Sequence, residues 1–277
     1  MRLRSLLFVP GDRPDRMIKA IGSGADALIL DLEDSVALER KAEARDAVVE
    51  FLHGERPIPV MVRINAVGSP YANDDLVALR EAHADAIMLP KAEGAASIHA
   101  LSSWTGLPIL PIATETPAAI FVLGSYAEVR DRLLGLTWGA EDLPAAIGAT
   151  AAREADGRYT PPIETVRALA LFAAHAAGIP AIETVYPDFR DLDGLEAYAA
   201  RGARDGFSGM MAIHPDQVPV INRVFTPTQA EIMAARAIVD AFAANPHSGV
   251  LAVDGKMVDA PHLIQARRVL DRAGERA

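Results

Sequence analysis

Acidic side chains gather where short runs of Leu, Ile and Val end. Asp31, Glu33 and Asp34 close or follow the run 27–32, and Glu115 follows 109–113. Glu141 and Asp142 follow 134–138, and Glu183 and Asp188 attend 181–185. Cations are fewer there: Arg13 behind the first run, Arg63 at the third, Lys91 behind the fourth. Carboxylates converging at one mouth repel and shift their pKa values upward, and a bound cation removes that problem. Oxygen-only ligands suit Mg²⁺ or Mn²⁺, which take one or two protein carboxylates plus water and substrate oxygens. Glu115 and Glu141 or Asp142, on neighbouring runs, can share one ion. The same carboxylates also suit helix caps and first turns. Arg63 can hold a substrate carboxylate or be the buried partner of Asp31 or Glu33. Glu33 and Asp34 can orient Arg63 or metal-bound water, or cap the next helix. None of the histidines pairs with another at ligand spacing on one helix. With no cysteine, disulfides, thiolate catalysis and Cys-ligated metals are excluded.

The elements that must carry these groups read as a repeating unit. Near-continuous apolar runs at 5–9, 27–32, 60–64, 86–89, 109–113, 134–138, 181–185 and 207–213 suit strands buried on both faces. Between them, 13–22, 38–53, 74–82, 95–103, 116–125, 142–152, 162–177 and 192–201 read as helices. Eight strand–helix units predict an α/β fold, the (β/α)8 TIM barrel, whose reacting groups lie at the C-terminal strand ends. An open doubly wound sheet is the rival, but no Gly-rich first turn supports it. The pattern breaks near residue 226. A helix at 227–244, a hairpin at 250–259 turning at Asp254-Gly255, and a helix at 261–273 follow. The expected division is a catalytic barrel over 1–225 and a C-terminal helix–hairpin–helix lid or oligomerisation segment over 226–277.

Composition narrows the function. Apolar residues make up 51% of the 277, enough for a sizeable core. A net charge of −10 with few aromatics argues against general nucleic-acid binding, so an anionic ligand needs a local basic patch. The first apolar stretch is too short for a signal peptide. The uncharged run 168–182 falls short of the roughly 20 residues of a membrane span. A soluble, cytoplasmic protein with no membrane partner is expected.

Seven motifs then occur in register. They are Ser5-Leu-Leu-Phe-Val-Pro-Gly, Asp31-Leu-Glu-Asp-Ser-Val, Val62-Arg-Ile-Asn, Leu89-Pro-Lys, Glu115-Thr-Pro, Gly139-Ala-Glu-Asp-Leu and Ile213-His-Pro-Asp-Gln. Together they resemble the citrate lyase β-subunit-like group of the HpcH/HpaI aldolase–citrate lyase family. The resemblance implies Mg²⁺-dependent carbon–carbon cleavage or condensation of a 3-hydroxyacyl-CoA bearing a carboxylate, giving an acyl-CoA and a 2-oxo acid. Citryl-, citramalyl- and malyl-CoA are the candidate substrates. It implies Glu115 and Asp142 as metal ligands and Arg63 as the substrate-binding arginine at the metal. Gly255-Lys-Met-Val-Asp-Ala-Pro-His resembles the family's lid motif, with Asp259 as acid/base, in its own subunit or a neighbour's. Desolvated under a lid, Asp259 would have its pKa raised. Substrate contacts are expected from Arg63, Glu115, Arg13, Glu33 and Asp34, and a coenzyme A patch from Arg13, Arg16 and Lys19. A homotrimer or a multiple of trimers is implied. One departure is Gly209-Met210, where many relatives carry Gly-Lys. The alternatives are a thioesterase or malate-synthase-like condensing enzyme on the same substrates, or a citrate lyase β subunit acting on an acyl-carrier thioester.

Overall fold

Aliphatic residues without intervening charge suit strands covered on both sides, and the first such run forms β1 (Ser5–Pro10). The computed structural model of the chain describes residues 2–275. After β1 come α1 (Pro14–Ile21), β2 (Ala27–Asp31), a 3-10 turn at Leu38–Arg40 and α2 (Lys41–His53). Next are β3 (Val60–Arg63), α3 (Ala72–Leu79), β4 (Ala86–Leu89), α4 (Gly94–Ser102) and β5 (Ile109–Pro111). The second half holds α5 (Pro117–Ile120), a 3-10 stretch Leu123–Arg132, β6 (Leu136–Thr137), α6 (Asp142–Ala146) and α7 (Pro161–Ala177). It ends with β7 (Ala181–Glu183), α8 (Leu192–Asp205), β8 (Gly209–Ala212) and α9 (Gln217–Val224).

The eight strands pair in parallel in the order β5-β4-β3-β2-β1-β8-β7-β6. The two ends meet at a seam of isolated bridges, Ile109 with Leu133 and Ile112 with Thr137. Leu134 N–H donates to Ile109 O at 2.8 Å there, and Ala113 N–H to Thr137 O at 2.9 Å. Closed by this seam, the sheet is a (β/α)8 barrel.

Strand parity decides what faces the barrel axis. Ala27 and Ile29 of β2, Met61 of β3, Ala86 and Met88 of β4 and Ile182 of β7 pack together in one interior cluster. A two-residue period carries Asp31 and Arg63 onto the same inner face, one layer above Ile29 and Met61. They are register partners across β2 and β3, so their side chains meet.

Several boundaries differ from the sequence reading. The helix expected at 116–125 is only the four-residue α5, followed by 3-10 turns with non-helical φ/ψ at Val129. Gly124, Ser125 and the β-branched Val122 disfavour continuing it. The helix expected at 142–152 stops at Ala146, where Ala149 N–H turns back to Pro144 O at 2.8 Å. α9 was not anticipated. Its Pro219 lies in the first turn, where the missing N–H breaks no helical bond.

The chain divides into two compact units, Met1–Asn222 and Arg223–Ala277. In the second, α10 (Gln229–Ala244) starts with a capping box in which Thr228 and Glu231 satisfy each other's backbone N–H. β9 (Val250–Val253) and β10 (Lys256–Asp259) form an antiparallel hairpin. Its turn is Asp254-Gly255, both at positive φ (47° and 75°), as a two-residue hairpin turn requires. α11 (Ala260–Ala273) packs on α10 through Ala235, Ala266 and Leu270. Among the described residues, no helix is long and apolar enough to cross a membrane.

Candidate active site

The C-terminal ends of β2, β3, β4 and β5 and the turn after β6 bring six charged side chains together: Asp31, Glu33, Arg63, Lys91, Glu115 and Asp142. At the base, the Arg63 guanidinium forks onto Asp31, Nε to Oδ1 at 2.6 Å and Nη2 to Oδ2 at 2.7 Å. Asp31 also accepts from the backbone N–H of Glu33 and Ser35. Burial pushes its carboxyl up, but the Arg63 hydrogen bonds and charge outweigh burial and hold it below the usual carboxylate range. Arg63 therefore forms the buried ion pair that its position allowed. Its remaining edge, Nη1, lies 3.1 Å from Glu33 Oε2, and the guanidinium stands over the Phe8 ring.

Glu33 is buried, and the main chain around it is fixed by Lys41, whose ammonium donates to the Leu32 and Glu33 carbonyls at 2.7 Å each. Desolvation raises the Glu33 pKa despite Arg63 and Lys91 beside it. Asp34 is exposed, and its charge adds to that rise. Neither caps a helix: the following 3-10 turn, Leu38–Arg40, has Ala37 at its N-cap and no side-chain cap.

Lys91 completes the ring. Its ammonium donates to Glu33 Oε1 at 2.5 Å and lies 3.6 Å from Asp142 Oδ1. Its backbone is left-handed (φ 50°), and its N–H donates to Glu115 Oε2 at 2.5 Å. The sequence reading placed this lysine at a strand end but gave it no role. Its reach across three carboxylates depends on the turn after Pro90, which no spacing rule shows.

Glu115 is 4% exposed. Burial, reinforced by the Asp142 and Glu33 carboxylates, pushes its carboxyl up to about 8. Gly139 makes room for it, because a Cβ there would stand 2.9 Å from Glu115 Cγ. Thr114 pins that approach, its Oγ1 exchanging hydrogen bonds with Gly139 O and N–H at 3.0 Å each. Asp142 opens α6 and faces Lys91, whereas Glu141 is exposed.

Do these residues fit a divalent ion? No group of three or more His, Asp or Glu side chains able to hold a metal occurs among the described residues. Glu115 and Asp142 are a pair, which is what Mg²⁺ takes when water and substrate complete its shell. A buried carboxyl raised by its neighbours is a donor that a cation would stabilise. The donor set fits.

Other expected residues fall elsewhere. Arg13 precedes α1, half exposed, 3.7 Å from Asp12 Oδ1. Arg16 and Lys19 line a cleft of about 710 Å³ with Phe8, Phe189, His214 and Pro215; Arg13 is not among its lining residues. Of Arg13, Arg16 and Lys19, read from the sequence as one patch, only Arg16 and Lys19 share this cleft, and Asp15 lines it too, 3.9 Å from Lys19. The His214 ring stacks on Phe189 at 5.1 Å. Met210 is fully buried in β8. Glu183, grouped with the rim in the sequence reading, is not at it. Ile182 faces the axis, so Glu183 points outward, where Trp138 Nε1 and Tyr198 OH donate to Oε1 and Arg167 to Oε2. Asp259 belongs to the second unit. It is only partly buried there, and burial does not win. His262 Nδ1, 2.5 Å from its Oδ1, holds its carboxyl below the usual range rather than above it.

A family model for HpcH/HpaI aldolase/citrate lyase matches residues 4–215. A citrate lyase subunit beta-like protein of Mycobacterium tuberculosis is 39% identical over 270 residues, covering 97% of this chain and 95% of the relative. A (3S)-malyl-CoA thioesterase of Cereibacter sphaeroides is 36% identical over 281 residues, covering 98% and 94%. Among solved structures, CitE from Mycobacterium tuberculosis in complex with magnesium, acetoacetate and coenzyme A superposes with a TM-score of 0.85. It is 36% identical, with 98% of each chain covered.

Proposed function

This chain belongs to the HpcH/HpaI aldolase/citrate lyase family, and we propose that it is a Mg²⁺-dependent carbon–carbon lyase. Its substrate class is a 3-hydroxyacyl-CoA carrying a carboxylate, of the citryl-, citramalyl- or malyl-CoA type, and its products are an acyl-CoA and a 2-oxo acid. The observation that carries the reading is the Glu115–Asp142 pair, two carboxylates on either side of one barrel seam with Arg63 and Lys91 beside them.

Held by Glu115 and Asp142, Mg²⁺ would supply Lewis-acid stabilisation of the oxygen on which charge develops. Arg63, charged at any working pH and fixed by Asp31, would bind an incoming carboxylate through Nη1, the edge that faces Glu33 Oε2 at 3.1 Å in the free protein. Cleavage transfers the hydroxyl proton to a base. The bond between the hydroxyl carbon and the thioester α-carbon breaks, leaving a 2-oxo acid and a thioester enolate, which takes a proton at carbon. Asp259 is the proposed group for the proton transfers, acting in its own subunit or a neighbour's. The pairing with His262 keeps it ionised, and so able to accept a proton. The cleft with Arg16, Lys19 and the Phe189–His214 stack offers cations and a flat aromatic surface to the coenzyme A nucleotide. A trimeric assembly belongs to the same proposal.

A thioesterase is the second reading, favoured by the likeness to the (3S)-malyl-CoA thioesterase over 98% of the chain. The test is incubation with citramalyl-, malyl- and citryl-CoA, with Mg²⁺ or EDTA, following 2-oxo acid and free thiol separately. Metal-dependent 2-oxo acid with the thioester intact supports the lyase. Free thiol alone supports the hydrolase. Silence in both channels, repeated with acyl-carrier thioesters and partner subunits giving product, would make the chain a subunit of a carrier-dependent lyase.

A further inference from the structure

We propose that Lys91 is the resident counter-ion of the metal carboxylates, a positioning residue whose ammonium sets how tightly the divalent ion binds. The inference rests on the metal reading of Glu115 and Asp142. It starts from how the nearby cations are spent. Arg63 gives two of its donors to Asp31 and has one edge left at Glu33. Lys41 gives its ammonium to two backbone carbonyls. Lys91 is the cation that touches both Glu33 and Asp142.

Its placement is fixed from the main chain. The left-handed backbone at Lys91 aims the N–H at Glu115 Oε2 while the side chain crosses to Glu33 and Asp142. One residue thus orients Glu115 by its amide and neutralises Asp142 by its ammonium. The ammonium is one-third exposed, so its charge is incompletely screened by water. A divalent ion arriving between Glu115 and Asp142 meets a like charge already in contact with one of its ligands. Metal binding to the free protein is weakened accordingly. A substrate that brings its own carboxylate offsets that repulsion, so the ion and the substrate are best held together.

The experiment measures Mn²⁺ binding to the full-length protein without substrate, by calorimetry or the paramagnetic signal of free Mn²⁺. It compares wild type, Lys91→Met, Lys91→Gln, Lys91→Arg and Glu115→Gln, with thermal unfolding of each metal-free protein. K91M and K91Q remove the charge but keep the amide, and K91Q keeps a donor for Glu33. Both are expected to bind Mn²⁺ at least roughly tenfold more tightly, whereas K91R stays near wild type. Equal or weaker binding in folded K91M and K91Q overturns the proposal. E115Q then separates the two ideas. If wild type binds and E115Q does not, the metal reading survives a failed Lys91 result. If wild type, E115Q and both charge-free Lys91 variants bind alike or not at all, both fall.

Discussion

Replacing Gly139 with alanine should displace Glu115 without unfolding the barrel. The added Cβ would stand 2.9 Å from Glu115 Cγ, 3.4 Å from Glu115 Oε1 and 3.4 Å from Ile112 Cγ2. Carbon atoms rest at about 3.5–4.0 Å, so the gap is short by roughly 0.6–1 Å. Position 139 cannot retreat cheaply, because Thr114 Oγ1 bonds both its N–H and its carbonyl at 3.0 Å. Glu115 must move instead, away from the Lys91 N–H that positions it. Overpacking of this kind costs about 1–3 kcal/mol of stability. A metal ligand tolerates only about 0.2 Å of misplacement, so Mn²⁺ affinity should fall by roughly 10–100-fold. Gly106→Ala, where an added Cβ meets nothing within 4 Å, is the matched control. Urea unfolding and Mn²⁺ titration on both variants supply the two numbers. A folded G139A that binds Mn²⁺ as G106A does would refute the reasoning, since the clash would then not reach a ligand.

The other predictions concern separate parts of the chain. Asp26 accepts three hydrogen bonds from Arg4. Burial pushes its carboxyl up, but those bonds and the Arg4 charge hold it below its ordinary 3.8. A depressed carboxylate stabilises above the unfolded value and loses that stability as pH falls through the folded one. Asp26→Asn should therefore cost about 1–2 kcal/mol near pH 7, a deficit that shrinks below pH 3.8 in urea melts taken across pH. Arg167→Met leaves the fully buried Glu183 without its guanidinium; chemical denaturation should show a loss of about 3–5 kcal/mol. Asp259→Asn should lower kcat by roughly 10²–10⁴-fold while leaving Mn²⁺ affinity of the free protein unchanged; a parallel loss of metal binding would count against its assignment to proton transfer. Thr228→Ala removes one half of the capping box of α10 and should cost about 1 kcal/mol in the same melts.

Much of this architecture was legible before any coordinates, for identifiable reasons. Strands buried on both faces must be uninterrupted apolar runs, so β2 and β4 stand out at 27–32 and 86–89 with no competing pattern. Strand-end carboxylates mark the mouth of a barrel, so the placement of Glu33, Glu115 and Asp142 there was legible, while the preference for Asp142 over Glu141 as a metal ligand is what the family resemblance implies. Parity was a signal left unused. Ile182 pointing inward dictates that Glu183 points out, into the Arg167–Trp138–Tyr198 network. Lys91 was legible only as a strand-end cation, because its contacts with Glu33 and Asp142 join residues 58 and 51 positions apart through a left-handed turn. The short ends of α5 and α6 escaped for a related reason. Alanine-rich sequence has helical propensity everywhere, and the loop geometry around the site overrides it.

The seam between β5 and β6 has one more implication. It is the thinnest join in the barrel, two isolated bridges beside a two-residue strand. Glu115 and Asp142 lie just beyond its two sides. An ion shared by them would rivet the ring at its weakest rung, so cofactor supply would govern endurance as well as turnover. At a hundredfold excess over its dissociation constant, such a ligand adds about 2.7 kcal/mol to the folded state. Hydrogen exchange at Ala113 and Leu134, whose amides span the join, would slow with added Mg²⁺ more than exchange at Leu28 or Ile29 on the opposite wall. The catalytic ion would then double as the clasp of the barrel.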